Sequence, residues 1–484
     1  MAGRGPGTSK VRNTTTQRGA RKAIYEGFMY VFHREKKDGT GWRCDQRGKC
    51  LGRMTVLPND TVLDEKPHSH PPDWGSCTAQ ETVQAIKRAA ETSRATTVAV
   101  VQSKIARVSD KTAMKLPKFR NLKKMVRRVK RRDLPPEPKE LMDLEEIPRQ
   151  FRTTLKGDRW LLHFDPEEDQ RVIIFTTDKH LRLLARATYW VMDGTFKVAP
   201  HIICQVYAIH AAINGKWVPL VVVLMERKTR RAYDDVFEIL KTETRRRVRR
   251  ELAPEKVSTD YEQSAIQAVR AAFPDAEVAG CLFHFGQAQW RRLQEAGLAV
   301  AYREEQNEAM RTDFIALAFV PLDDVEDAFD ALSEAAVLIL RPIFQHVEET
   351  YLRGRLRARR GARVRRRGPP LFPPHLWNCY ERTVEGLPRT TNPCEAWHRR
   401  LLSLIGKHHP SFFVFLGQLR EEVGEIDILI TRAEGGFSPS KRKTSLEQKE
   451  IRIQRIVDRY EEYKEDEDVL TYLRAIGHNL SGFF

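Results

Sequence analysis

The sequence predicts an α/β protein: a mixed sheet joined to a long helical stretch, with a small β-rich, zinc-binding module ahead of it. Three observations lead there. Three apolar segments, Thr188–Val198, Cys204–Ile213 and Lys216–Glu226, follow one another, and Asn214-Gly215 between the last two is a hairpin dipeptide. From Tyr233 to Leu298, helical and strand patterns alternate, which adds crossover connections to the sheet. Far upstream, Cys44, Cys50, His68 and His70 place four metal donors in a stretch too short for a large core.

Composition narrows the function classes. The chain has 484 residues, enough for two to four domains, and 41% hydrophobic content supports a real core. A net charge of +18 and a pI near 9.6 favour polyanionic partners, with nucleic acid the commonest. Seven cysteines in this length make no disulfide framework, and two of them near histidines point to metal in a reducing compartment. Met1–Ala20 lacks the apolar core of a secretory signal. The longest apolar stretch, Trp217–Met225, is too short to span a bilayer, so no membrane partner is expected.

In chain order, residues 1–20 read as a disordered basic arm and 21–75 as the metal module. Residues 76–145 read as a basic helical connector, helical from Thr78 to about Arg107, basic from Lys111 to Arg132, and broken at Pro135-Pro136. Residues 146–410 hold the sheet. Its three strands precede a helix from Tyr233 to about Leu252, a strand Lys256–Asp260, a helix Glu262–Phe273, a strand Glu277–His284 and a helix Gly286–Leu298. A mostly helical segment spans about 300–390 and contains the arginine run Arg353–Arg367; a helix from Pro393 to about Ile405 follows. Residues 411–484 form a C-terminal helical segment with a charged amphipathic part, Ser445–Ile476.

In the metal module the spacing is C-x5-C followed by H-x-H. Alternate residues of a strand share a face, so His68 and His70 can reach one Zn²⁺ together with Cys44 and Cys50. The metal would staple a module that is marginal without it. The alternative is two free cysteines and two surface histidines. With Tyr30 and Trp42-x-Cys44, the pattern resembles the FLYWCH-type zinc finger. That resemblance implies DNA or protein binding.

The second site starts from Tyr189–Phe196, an apolar run that ends in Asp193 and Gly194. A buried, unpaired carboxylate costs several kcal/mol unless it is paired or binds a metal, so Asp193 reads as a metal ligand. Asp260 closes its strand and could share a crevice with Asp193; equally, it could cap the helix that follows. Glu395 sits in Asn392-Pro393-Cys394-Glu395, which reads equally as a capping box. His398 lies three residues on, on the same helix face, beside Arg399 and Arg400, which suits a phosphate-handling site. Cys281 and His284 end an apolar strand, and their plain reading is a buried thiol and a satisfied histidine.

Taken in order, Asp193-Gly194-Thr195-Phe196, Thr259-Asp260, Cys281-x-x-His284 and Asn392-x-x-Glu395-x-x-His398 resemble the transposase domain of Mutator-like elements over roughly residues 185–405. The resemblance implies a ribonuclease H-like fold with a helical insertion before the last acid. It implies a DDE triad of Asp193, Asp260 and Glu395 holding two Mg²⁺ or Mn²⁺, with the Cys281-x-x-His284 pair close by. The expected function is then DNA transposition in the nucleus, in which DNA is cut at the element end and the freed 3′-hydroxyl attacks target DNA. The alternative is a domesticated zinc-finger DNA-binding regulator without catalysis. A third reading is a nuclear structural protein that forms homo-oligomers through its charged C-terminal helix. The arginine run could track DNA backbone, form a surface loop or serve as a nuclear-targeting signal.

Overall fold

The computed structural model describes residues 10–16, 19–59, 61–93, 95–132, 134–297, 314–357, 366–436 and 444–480. Most of the expected arm, part of the helical stretch (298–313) and the centre of the arginine run (358–365) lie outside the described residues. The chain divides into two compact units, Met1–Pro135 and Pro136–Phe484.

In the first unit, six strands form an antiparallel meander in chain order: β1 (Arg12–Thr15), β2 (Arg21–Tyr25), β3 (Phe28–Lys36), β4 (Gly39–Cys44), β5 (Arg53–Val56) and β6 (Val62–Lys66). β1 falls within the stretch expected to be a disordered arm. Its β-branched Thr14 and Thr15 pair with Lys22 and Arg21, and Val11 beside them is buried; edge pairing orders what composition left loose. Ala23, Tyr30, Trp42 and Met54 form the small core beneath the sheet.

The basic stretch that follows folds on a core of its own. Helices α1 (Trp74–Thr92), α2 (Thr97–Ile105), α3 (Asp110–Ala113) and α4 (Phe119–Arg131) bury Val83, Ile86, Val101, Leu122 and Val126. Asp73 Oδ1 caps α1 by accepting from Ser76 N at 2.9 Å. The helix expected from Thr78 to Arg107 divides after Ser93, because Thr96 caps a second helix by accepting from Ala99 N at 3.2 Å. Gln80 and Gln84 donate to Thr15 O at 2.6 and 2.7 Å and fix α1 to β1.

The second unit is built on a seven-stranded mixed sheet in the order β13-β12-β9-β10-β11-β8-β7. The strands are β7 (Leu161–His163), β8 (Val172–Phe175), β9 (Tyr189–Thr195), β10 (Gln205–Ile213), β11 (Lys216–Met225), β12 (Lys256–Thr259) and β13 (Glu277–Gly280). β9 pairs antiparallel with β10 and parallel with β12, so it stands where the sheet changes sense. Asn214 and Gly215, with φ of 47° and 77°, make the tight turn between β10 and β11. Helices α5 (Asp178–Leu184), α6 (Arg230–Val248) and α7 (Gln263–Ala272) lie within this framework. Trp190 and Tyr207 face α6 and the end of α7, with Trp190 against Phe273 and Tyr207 against Tyr233. Val191, Asp193, Ala208 and His210 alternate to the other face. There the helix Asn392–Ile405 packs, with Cys394 Sγ donating to Val191 O at 3.4 Å.

Two expectations change. The strand expected over Glu277–His284 stops at Gly280, and helix α8 (Leu282–Glu295) begins at once instead of at Gly286. Leu282 N donates to Arg389 O at 2.9 Å, which turns the chain out of the sheet. The C-terminal amphipathic part is three helices, Thr444–Val457, Tyr460–Glu465 and Val469–Leu480. Their apolar residues Ile453, Val457, Tyr472, Leu473 and Ile476 join the main core. Among the described residues no helix is long and apolar enough to cross a membrane.

Candidate metal centres

In the first unit, β4 delivers Cys44, the β4–β5 connection delivers Cys50, and the segment after β6 delivers His68 and His70. The two histidines lie beyond the strand expected to carry them, since β6 ends at Lys66. The four donor atoms lie within 4.8 Å of one another. Cys44 Sγ to His70 Nε2, Cys50 Sγ to His68 Nδ1, and His68 Nδ1 to His70 Nε2 are each 3.3 Å. A tetrahedral zinc with bonds of about 2.0–2.3 Å needs donor edges of roughly 3.3–3.8 Å, so the set fits.

The outer partners are also in place. With Nδ1 facing the cluster, His68 Nε2–H donates to Tyr30 Oη at 2.8 Å, and Phe28 stacks on the ring at 3.8 Å. With Nε2 facing the cluster, His70 Nδ1–H donates to Pro71 O at 3.0 Å. Each bond fixes a tautomer and a ring orientation. A Cβ on Gly52 would sit 2.7 Å from the His68 ring, so only glycine allows this approach. Burial pushes the Cys44 thiol up to about 11. Burial acts on Cys50 as well, but N–H donors from Ser69 and Gly52 outweigh it and bring that thiol down to about 7. Cys77 lies in α1, outside the cluster.

The second centre gathers the acids. Ser258 of β12 pairs with Val191 of β9, so the parallel register carries Asp260 level with Asp193 two residues further on. Asp193 is 4% exposed. Burial raises its carboxyl well above the usual range, the His284 charge opposes that rise, and Asp260, Cys281 and Glu395 add to it. His398 Nδ1 lies 3.7 Å from Asp193 Oδ2, and His284 Nε2 lies 3.9 Å from Glu395 Oε1. His398 thus lies beside Asp193 and His284 beside Glu395, while Asp260 and Glu395 are near enough to act on the Asp193 carboxyl.

The capping box is absent at Glu395, whereas Asp260 keeps a local bond at the start of α7. Thr391, not Asn392, precedes the first turn of Asn392–Ile405, and no side chain caps that helix. Glu395 instead reaches toward His284 and, at 3.6 Å, toward Arg399 Nη1. Asp260 Oδ1 accepts from Glu262 N at 3.1 Å, but the cap residue of α7 is Glu262.

Further contacts complete the setting, and of these residues Cys394, His210, Lys228 and Glu262 carry no signal in the spacing. Cys281 Sγ accepts from Thr391 N at 3.2 Å and from Thr391 Oγ1 at 3.4 Å, tying the start of α8 to the helix that bears Glu395. Buried Cys394 lies 3.1 Å from His210 Nδ1, on the face that carries Asp193. Burial lowers His398 to about 4, so a neutral imidazole faces Asp193. Lys228 pairs with Glu262 Oε2 at 2.5 Å, close to Asp260. Gly194 follows Asp193 because a Cβ there would meet Gln205 Oε1 at 2.4 Å.

Residues 189–288 match the MULE transposase domain. Residues 13–70 match the FLYWCH zinc finger domain. The FLYWCH match holds all four Cys/His donors, and together they suggest structural zinc. The MULE transposase match runs from β9 to α8 and holds Asp193, Asp260, Cys281 and His284, while Glu395 and His398 lie beyond it. The two matches, over separate parts of the chain, together suggest a transposase-related DNA-binding protein. No curated protein is detectably similar to the chain.

Proposed function

We propose that this protein is a DNA transposase of the DDE type that works in the nucleus on a ribonuclease H-like sheet. The observation that carries the reading is the buried Asp193 carboxylate, placed in the field of the Asp260 and Glu395 carboxylates from two other elements. Like charges gathered out of water are unfavourable without a cation. The sheet order supports the fold reading: antiparallel β9, β10 and β11 adjoin parallel β12 and β13.

Asp193, Asp260 and Glu395 would hold two Mg²⁺ or Mn²⁺, oxygen-seeking ions suited to carboxylates. Bound there, such a pair supplies charge stabilisation to the attacking and leaving oxygens of a phosphodiester. The rest falls to the chain's own groups. Neutral His398 holds the Asp193 carboxylate in place without competing for its charge. His284, at the rim and partly exposed, sets Glu395. Arg399, 72% exposed beside Glu395, is placed to meet a backbone phosphate. Catalysis of this kind is positioning and electrostatics, with no covalent intermediate on the protein.

The test is nicking of supercoiled plasmid by the full chain in Mg²⁺ or Mn²⁺. The reading expects metal-dependent nicking that Glu395→Gln abolishes while DNA binding persists. DNA binding with no nicking under any divalent metal would leave the domesticated DNA-binding regulator in its place.

A further inference from the structure

The helical bundle α1–α4 lies outside both family matches, which cover 13–70 and 189–288. Its last helix is unusual: α4 reads FRNLKKMVRRVKR, with no acid in it. Leu122 and Val126 bury one side, while Arg120, Lys124, Arg127 and Arg128 stand exposed. Positions 120, 124 and 127 follow the i, i+4, i+7 spacing of a single stripe. No ion pair among the described residues engages any of these four.

Beside the stripe runs an open groove of about 820 Å³ between α1, α4 and the β1–β2 end of the meander. Lys87, Arg88, Lys124, Arg128 and Arg132 line it against a single acid, Glu91, which Arg132 meets at 3.6 Å. The described ends of the arginine run at 353–367 contrast with this. Arg353 pairs with Glu326, Asp330 and Glu348, Arg355 with Glu349, and Arg367 with Glu348. Positive charge is thus neutralised at those described ends and left available at Arg120, Lys124, Arg127 and Arg128 of α4.

We infer that this groove and the α4 stripe form a second DNA contact: one sugar–phosphate strand of a duplex lies along the groove beside the zinc module. The groove's donors are point charges and forks suited to phosphate oxygens. Val83, Leu122, Met125 and Val129 form an apolar lining next to those charges. The contact is therefore sequence-independent, and it holds the finger against the duplex. This inference rests on the DNA-binding reading above.

The test uses the full chain, with Arg88, Lys124, Arg127 and Arg128 all changed to Gln, a good helix former that stays polar and removes charge. The probe is a random-sequence duplex of about 30 base pairs, titrated between about 50 and 200 mM salt. A matched control changes Arg182, Arg186, Arg250 and Arg291 to Gln. The inference expects the slope of log K against log salt to become shallower by about 3–4, at about 0.9 per lost phosphate contact. It also expects affinity at 100 mM salt to fall at least tenfold, zinc content and circular dichroism to hold, and the control to lose far less. An unchanged slope, or an equal loss in the control, overturns it. If the unmodified chain binds duplex without salt dependence, it is the DNA-binding reading itself that fails.

Discussion

Tyr30 Oη accepts from the ring of His68, and that contact fixes which histidine nitrogen faces the cluster. Tyr30→Phe keeps the packing and removes the acceptor, so zinc affinity should fall by about 10–100-fold, as for other outer-shell losses. Chelator competition on the full chain measures it, and an unchanged affinity would mean that His68 is not held this way. The four donors were legible in the sequence because cysteine and histidine at short spacing leave few other roles. Gly52 was not, since its purpose is a close approach to a ring that only the fold brings near. Asp193 was legible for the opposite reason, as an acid where an apolar strand should have continued. Cys394 and His210 stand 184 residues apart in the chain, and no local pattern announces their contact.

Among the elements, long periodic ones were readable and short ones were not. β9, β10 and β11 lie within a residue or a few of the ranges that alternation and Asn214-Gly215 predict. β7 and β8, of three and four residues, are too short to carry a period. α8 was misplaced because Gly280-Cys281-Leu282-Phe283 is apolar enough to pass for more strand, while its turn is set by a bond to Arg389 far along the chain. The strap from Cys281 to Thr391 gives a prediction at this scale. Cys281→Ala leaves the buried Thr391 N–H without its acceptor, a loss of about 1–3 kcal/mol. Urea unfolding should register that loss, and no change would mean that the strap is incidental.

A second strap joins α5 to the helix Phe412–Glu434, where His180 Nε2–H donates to Asp427 Oδ1 at 3.0 Å. Burial alone would raise Asp427, but the His180 bond outweighs it and holds the carboxyl below its ordinary 3.8. The unfolded chain then takes up that proton more readily than the fold does. The contribution is present above about pH 4 and is lost as pH falls through the lower folded value. Between pH 5 and pH 2 the unmodified protein should lose more stability than Asp427→Asn. Equal losses in denaturant unfolding would contradict the assignment.

At the scale of the whole molecule, the first unit carries a zinc-type Cys/His cluster, and the second carries the buried Asp193 on which the proposed catalysis rests. The net charge of +18 was legible at once as an affinity for polyanions, but its location was not. The densest run in sequence is bound up in ion pairs at its described ends, whereas Arg120, Lys124, Arg127 and Arg128 of α4 meet no acid among the described residues. Density of like charge says little until the acids that neutralise it are known. Binding by this chain should therefore weaken steeply with salt, chiefly through its first unit.

We propose that Asp193, Asp260 and Glu395 act together on DNA through divalent metal. Asp193→Asn tests it most directly, because it preserves shape and hydrogen bonding while removing a metal-binding charge. Cleavage in Mg²⁺ or Mn²⁺ and duplex binding should be measured on the same preparation. Cleavage should vanish while binding affinity stays within about twofold, a shift of roughly 0.4 kcal/mol. Cleavage that survives Asp193→Asn would contradict it.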